Sequence, residues 1–226
     1  MRVAVVTLVA MLGLLASSAG AATNECQGIT TCIRVPGPWV LVPAGGTSEF
    51  LLSCPRGRSI VAGLDAQATS RAVHVGFDAR IGAPVSPGVT TTTYALFRAV
   101  STSKRAEVFQ PRLGCVPTQG GGGRSTVSAR VVTPTGPALE LRSRIVIIGP
   151  GQLKFAKVAC HANEKLVGSW QATAFRVKQP PTIGAGTLVN VTRTTAGRQV
   201  VVTATATDGL SIDVHAIVQV GAVCAP

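Results

Sequence analysis

The stretch that begins at Cys54 is written a second time from Cys160. Cys54-Pro-Arg-Gly-Arg-Ser-Ile-Val-Ala-Gly-Leu-Asp-Ala and Cys160-His-Ala-Asn-Glu-Lys-Leu-Val-Gly-Ser-Trp-Gln-Ala share a cysteine, a polar turn, and an apolar strand starting six residues on. The copies also close alike, Leu113-Gly-Cys115-Val-Pro against Ala222-Val-Cys224-Ala-Pro. Upstream, Val40-Leu-Val-Pro-Ala-Gly-Gly46 is echoed by Val146-Ile-Ile-Gly-Pro-Gly-Gln152. The offset is 106 residues at the first cysteine and 109 at the last, a drift that one short loop insertion explains. We read this as a tandem duplication, so whatever fold one half adopts the other must adopt too.

Duplication also constrains the sulfur chemistry. All six cysteines lie beyond residue 22 and none forms a C-x-x-C pair, which favours disulfides over zinc or redox motifs. Six cysteines allow 15 pairings. If each copy is a folding unit, Cys54 pairs with Cys115 and Cys160 with Cys224, leaving Cys26 with Cys32 as a small N-terminal loop. Each long bridge closes roughly 60 residues, worth about 4 kcal/mol through the unfolded chain.

Within each copy the local pattern is strand after strand. Val73, Val75, Phe77 and Ala79 alternate with His74, Gly76, Asp78 and Arg80, the period of a half-buried strand, and Ile212, Val214, Ala216, Val218 and Val220 repeat the alternation against Asp213, His215, Ile217 and Gln219, which places the latter set on the solvent face. Asp208-Gly209 between Val200–Ala206 and the last run reads as a tight hairpin. The apolar content, 46% of residues, is carried by Val, Ala, Leu and Ile with little aromatic character, which suits pleated strands and supplies a core. No stretch beyond the leader keeps a helical apolar stripe. The expected fold is all-β: two tandem antiparallel β-sandwich-like repeats, each closed by a disulfide. Residues 23–117 form the first repeat, 118–124 a Gly-rich linker around Gly120–Gly123, and 125–226 the second.

Residues 1–22 read as a secretory signal: Arg2, an apolar run from Val3 to Ala16, then small residues ending in Ala21 and Ala22, where cleavage is expected. No later apolar run approaches the ~20 residues that span a bilayer. The expected product is an exported protein without a membrane span.

The succession of a Val-rich strand, Pro-Ala-Gly, a strand running into Cys-Pro-x-Gly (Cys54 to Gly57), a Gly-containing apolar strand and a closing cysteine resembles secreted, disulfide-stapled bacterial β-domains with no assigned function. The second copy departs from it, with His161-Ala-Asn where Pro55-Arg-Gly stands in the first. The resemblance implies a fold and an export route, not an activity.

Candidate chemistry is sparse. Ser211, Asp213 and His215 are triad residue types placed on one face of a strand, but along a strand Ser211 and His215 lie about 13 Å apart with Asp213 between them, where the histidine belongs. His74 and Asp78 fail by the same ruler. Three scattered histidines give no metal set, so no catalytic, cofactor or metal residue is assigned and the site residues are the six cysteines. Trp170 stands as far from Cys160 as Leu64 does from Cys54, in phase with Leu166 and Gly168, and reads as core; Trp39 opens a strand. The loops Ser101–Arg105 and Gln179–Gly186 are candidate protein-contact loops, with the partner open, and Asn190-Val-Thr192 is a sequon that fits a surface.

Charge is the one global signal. The formal net charge is +12, with nine basic and four acidic residues over 26–117 and eleven and four over 118–226. A surplus spread this evenly, without aromatic interleaving, argues against specific nucleic-acid recognition. It favours weak multisite contact with an anionic cell-wall polymer or acidic glycan. The expected function is a secreted, non-catalytic β protein that binds or structures extracellular or envelope material, with a secreted hydrolase or an interaction and inhibitor module as the alternatives.

Overall fold

The computed structural model describes residues 24–29, 31–55, 59–78, 93–117, 139–211 and 213–226. The expected signal segment (1–22), the expected linker (118–124) and Ala79 lie outside them. The elements are β1 (Ile33–Pro36), β2 (Trp39–Val42), β3 (Thr47–Ser53), β4 (Ser59–Ala68), β5 (Val73–Asp78), β6 (Tyr94–Ser101), β7 (Glu107–Pro117), β8 (Glu140–Ile148), β9 (Leu153–Ala159), β10 (Lys165–Arg176), a 3₁₀ segment (Ile183–Leu188), β11 (Val189–Ala196), β12 (Gln199–Ala206) and β13 (His215–Ala225). The protein is all-β with antiparallel pairing and three disulfides.

The two halves make matching pairings. In the first, β7 pairs β2 and β4 while β6 pairs β3 and β5; in the second, β13 pairs β8 and β10 while β12 pairs β9 and β11. Both β4 and β10 carry a bulge early in the strand, between Val61 and Gly63 and between Leu166 and Gly168. The turns before β3 and β9 both hold a glycine in the left-handed region, Gly45 (φ 57°) and Gly151 (φ 64°), where an L side chain is strained.

The halves do not close as separate sandwiches. β2 pairs β10 through Val40 with Ala174 and Trp39 with Phe175, so one seven-stranded sheet runs across both. What frees β2 is a break absent from β8: Pro38 has no N–H for the ladder, and Gly37 turns aside to donate to the Pro111 carbonyl at 2.8 Å.

The two three-stranded sheets cover opposite faces of this shared sheet. Ala216, Val218, Val220 and Ala222 of β13 pack with Val200, Val202 and Ala204 of β12 in one core. Ile217 of the same strand, with Ala172 and Ala174 of β10, packs instead into the first-half core around Phe50, Phe97, Phe109 and Leu113. β13 is therefore buried on both sides, and the expected solvent face through Ile217 and Gln219 does not exist. The expected Asp208-Gly209 hairpin is also corrected. A turn forms there, Leu210 donating to the Thr207 carbonyl at 3.2 Å, but β12 and β13 belong to different sheets and the connection crosses between layers.

Candidate functional site

Each disulfide joins the strands its position demands. Cys54 follows β3 and bonds Cys115 in β7, and Cys160 follows β9 and bonds Cys224 in β13, so both long bridges staple a three-stranded layer to the shared sheet. Cys26 bonds Cys32 across the N-terminal turn.

The two tryptophans are core residues, both 3% exposed. The register corrects the expected phase of Trp170: counted from the bulge, it aligns with Asp65 and not Leu64, because the turn after Cys160 is one residue shorter than that after Cys54. Trp170 lies flat over Gly221, where any Cβ would fall within 1.9 Å of the indole ring. Its Nε1 donates to Gln219 Oε1 at 3.2 Å. The same carboxamide clamps the free edge of β3, accepting from Leu51 N–H at 2.7 Å and donating to the Leu51 carbonyl at 2.9 Å. Sequence reasoning placed Gln219 on a solvent face. The available signal was a lone amide inside the apolar run Ala216–Cys224.

Ser211 and Asp213 lie in the connection before β13 and His215 is its first residue. All three are exposed, and no hydrogen bond among the described residues joins their side chains, so the shared strand face expected for them is absent. His74 and Asp78 sit at opposite ends of β5, both exposed.

Two polar clusters escaped the sequence reading. In one, Arg142 forms a double contact with the Glu164 carboxylate beside the Cys160–Cys224 bond, and its Nη1 lies 3.5 Å from Cys224 Sγ. Cys160, Glu164 and Cys224 come within 4.8 Å of one another, the spacing of metal ligands, but the sulfurs are bonded together and Arg142 occupies the carboxylate. The Arg142 guanidinium, helped by the His161 N–H, holds the Glu164 carboxyl at about 2 against the desolvation that would raise it. A carboxylate whose folded pKa lies below its ordinary 4.5 stabilises the fold above that pH, and the stabilisation fades as pH falls toward 2. Glu164→Gln is therefore expected to flatten the acid limb of melting temperature against pH between 4.5 and 2, measured by calorimetry.

The second cluster brings together the two loops singled out from the sequence. A shallow cavity of about 140 Å³ opens between the start of β7 and the connection after β10, lined by Leu41, Thr69, Arg105, Glu107 and Pro181. Glu107 is buried, which pushes its carboxyl up, but hydrogen bonds from Arg105, Ser103 and Thr69 outweigh this and hold it below its usual range. The donors are Thr69 Oγ1 at 3.1 Å, Ser103 Oγ at 3.1 Å and Arg105 Nε at 3.2 Å. The carboxylate is thus committed to holding the 102–106 loop and is not a free base. The rest of the guanidinium faces solvent, so the rim can meet an anion but offers no nucleophile.

Surface charge is arranged asymmetrically. Glu25, Glu49, Glu107, Glu140 and Glu164 each lie against an arginine. Arg71 and Lys104 in the first half, and Arg144, Lys154, Lys157, Lys165, Arg176, Lys178, Arg193 and Arg198 in the second, are exposed and make no ion pair among the described residues; of these Arg193 and Arg198 donate to the Ser169 and Ala162 carbonyls. Much of the acidic complement is internally neutralised, and among the described residues the cations without an ion pair are mostly in the second half. The chain matches no family model, no curated protein and no solved structure.

Proposed function

We propose that this is a secreted, non-catalytic protein built from a duplicated β unit, which binds anionic extracellular or cell-envelope material such as an acidic wall polymer or glycan. One observation carries the reading: the glutamates are tied to arginines while ten described cations stand exposed without an ion pair, eight of them in the second half. Such a surface attracts polyanions by steering and many weak contacts without needing a pocket. Export is supported by the three disulfides, which persist in oxidising compartments, and no helix of the described residues is long and apolar enough to cross a membrane. The duplication is supported by the matching pairings, bulges and left-handed turn glycines of the halves.

The test is retention on immobilised polyglutamate or purified wall polymer across a salt series. Retention should fall steeply as salt rises, since the Debye length shrinks from about 10 Å at 0.1 M to about 3 Å at 1 M. Lys154→Glu/Lys157→Glu should elute at markedly lower salt than Arg71→Glu/Lys104→Glu. Retention indifferent to salt would remove the reading.

A further inference from the structure

We propose that the edge formed by β8 and β9 is a docking edge for an anionic lipid surface, its apolar side chains entering the interface and its cations meeting the headgroups. This rests on the reading above that the surplus charge faces an anionic partner, and it names the partner.

The register between halves exposes the anomaly. Val40 pairs Phe109 and Val146 pairs Val218, each partner lying six residues before the closing cysteine of its half. Trp39 therefore corresponds to Ile145, and Leu41 to Ile147. In the first half these positions are covered: Trp39 faces Phe175 across the β2–β10 pairing, and Leu41 lies against Gly186. In the second half β8 pairs only β13 among the described residues, and Ile145 and Ile147 are 47% and 56% exposed. Around the turn at Gly149–Gln152, β9 adds Leu153 and Phe155, 54% and 63% exposed. Four of the nine large apolar side chains exposed among the described residues thus fall on β8 and β9, edge strands of two different sheets joined by this turn, a clustering at one edge of the molecule that favours a contact there.

Charge selects the occupant. Arg144, Lys154 and Lys157 project from the same two strands without ion pairs; Glu140 at the far end is taken by Arg142, and Asp208 lies against Gly151 at the turn. A second copy docked edge to edge would set one cationic edge, with Arg144, Lys154 and Lys157, against another like it. A soluble polyanion would satisfy the cations and leave the isoleucines and Phe155 in water. An anionic bilayer interface takes both, apolar side chains below the headgroup level and cations at it. The two apolar pairs point to opposite sides of the sandwich edge, and a soft surface can follow that shape where a rigid groove could not.

The experiment is flotation of the mature protein with vesicles of phosphatidylcholine alone or containing about 30% phosphatidylglycerol. Binding is expected to the anionic vesicles only. Ile147→Ser/Phe155→Ser, which keeps every charge, and Arg144→Glu/Lys154→Glu, which keeps every apolar group, should each weaken it by about tenfold or more. Both pairs are exposed, and unchanged melting temperatures verify the folds. The serine variant should bind polyglutamate as the parent does. If it also binds vesicles as the parent does, charge alone attaches the protein, and the lipid proposal is overturned while the polyanion reading stands. Binding to polyglutamate without any binding to vesicles, or a concentration-dependent dimer lost in the serine variant, has the same meaning. Binding to neither vesicles nor polyglutamate defeats both.

Discussion

Gln219→Ala is expected to destabilise the protein by about 4 kcal/mol in denaturant unfolding, a large effect for a residue outside any bridge. The carboxamide is fully buried and makes three hydrogen bonds, two to the backbone of Leu51 and one from the Trp170 indole. Alanine leaves an N–H, a C=O and an indole N–H stranded between layers, each costing about 1–3 kcal/mol where water does not replace the partner. The loss also falls where the halves meet, since Leu51 belongs to β3 and Gln219 to β13. A single strand residue here does the work of a neighbouring strand, satisfying the open edge of β3. Gln219→Leu, close in volume, should cost nearly as much, because polar satisfaction and not packing is what is lost. A cost below about 1 kcal/mol for either variant would mean that water fills the role and that the clamp is incidental.

This residue also marks where sequence reasoning stops. The strand content was legible because period-2 alternation and Val- and Thr-rich runs are local, and the disulfide partners were legible because the repeat restricts pairings that spacing alone leaves open. Alternation misled on β13, whose two faces are both apolar enough to bury, so Gln219 and Ile217 were assigned to solvent. The shared sheet depends on Gly37-Pro38 interrupting one copy of a strand that is continuous in the other, a two-residue difference whose consequence is visible only once β10 is seen filling the exposed edge. Glu107 and Glu164 were hidden for a related reason. Glu107 has Ser103 and Arg105 close in sequence, but Thr69, which completes its cluster, lies 38 residues away, and the Arg142 partner of Glu164 lies 22 away, so nothing local announces that either carboxylate is enclosed. The candidate surface was half legible: the sequence showed the surplus charge but not that Ile145 and Ile147 lack the cover their counterparts have.

Removing the Cys160–Cys224 bond by the double change Cys160→Ser/Cys224→Ser should lower stability by about 4 kcal/mol and the melting temperature by roughly 10 °C. The loop it closes spans 64 residues and the Cys54–Cys115 loop spans 61, so removing the latter should cost nearly the same. The Cys26–Cys32 loop spans only 6, and the same chain-entropy relation gives it about 2 kcal/mol. Together these approach the whole net stability of an ordinary domain, so full reduction is expected to unfold the protein at room temperature. Reduction should nevertheless be slow under native conditions, because Cys160 and Cys224 are 7% and 1% exposed and a reductant reaches them only after local opening. The shape of the transition carries more information than its midpoint. Two independent sandwiches would separate, the unstapled half melting first and the other holding. Here β2 is hydrogen-bonded to β10 and Gln219 grips β3, so a half that loses its bridge draws on the other, and each double variant should show one cooperative transition at a lower temperature. Two resolved calorimetric peaks in either variant would show that the seven-stranded sheet does not couple the halves.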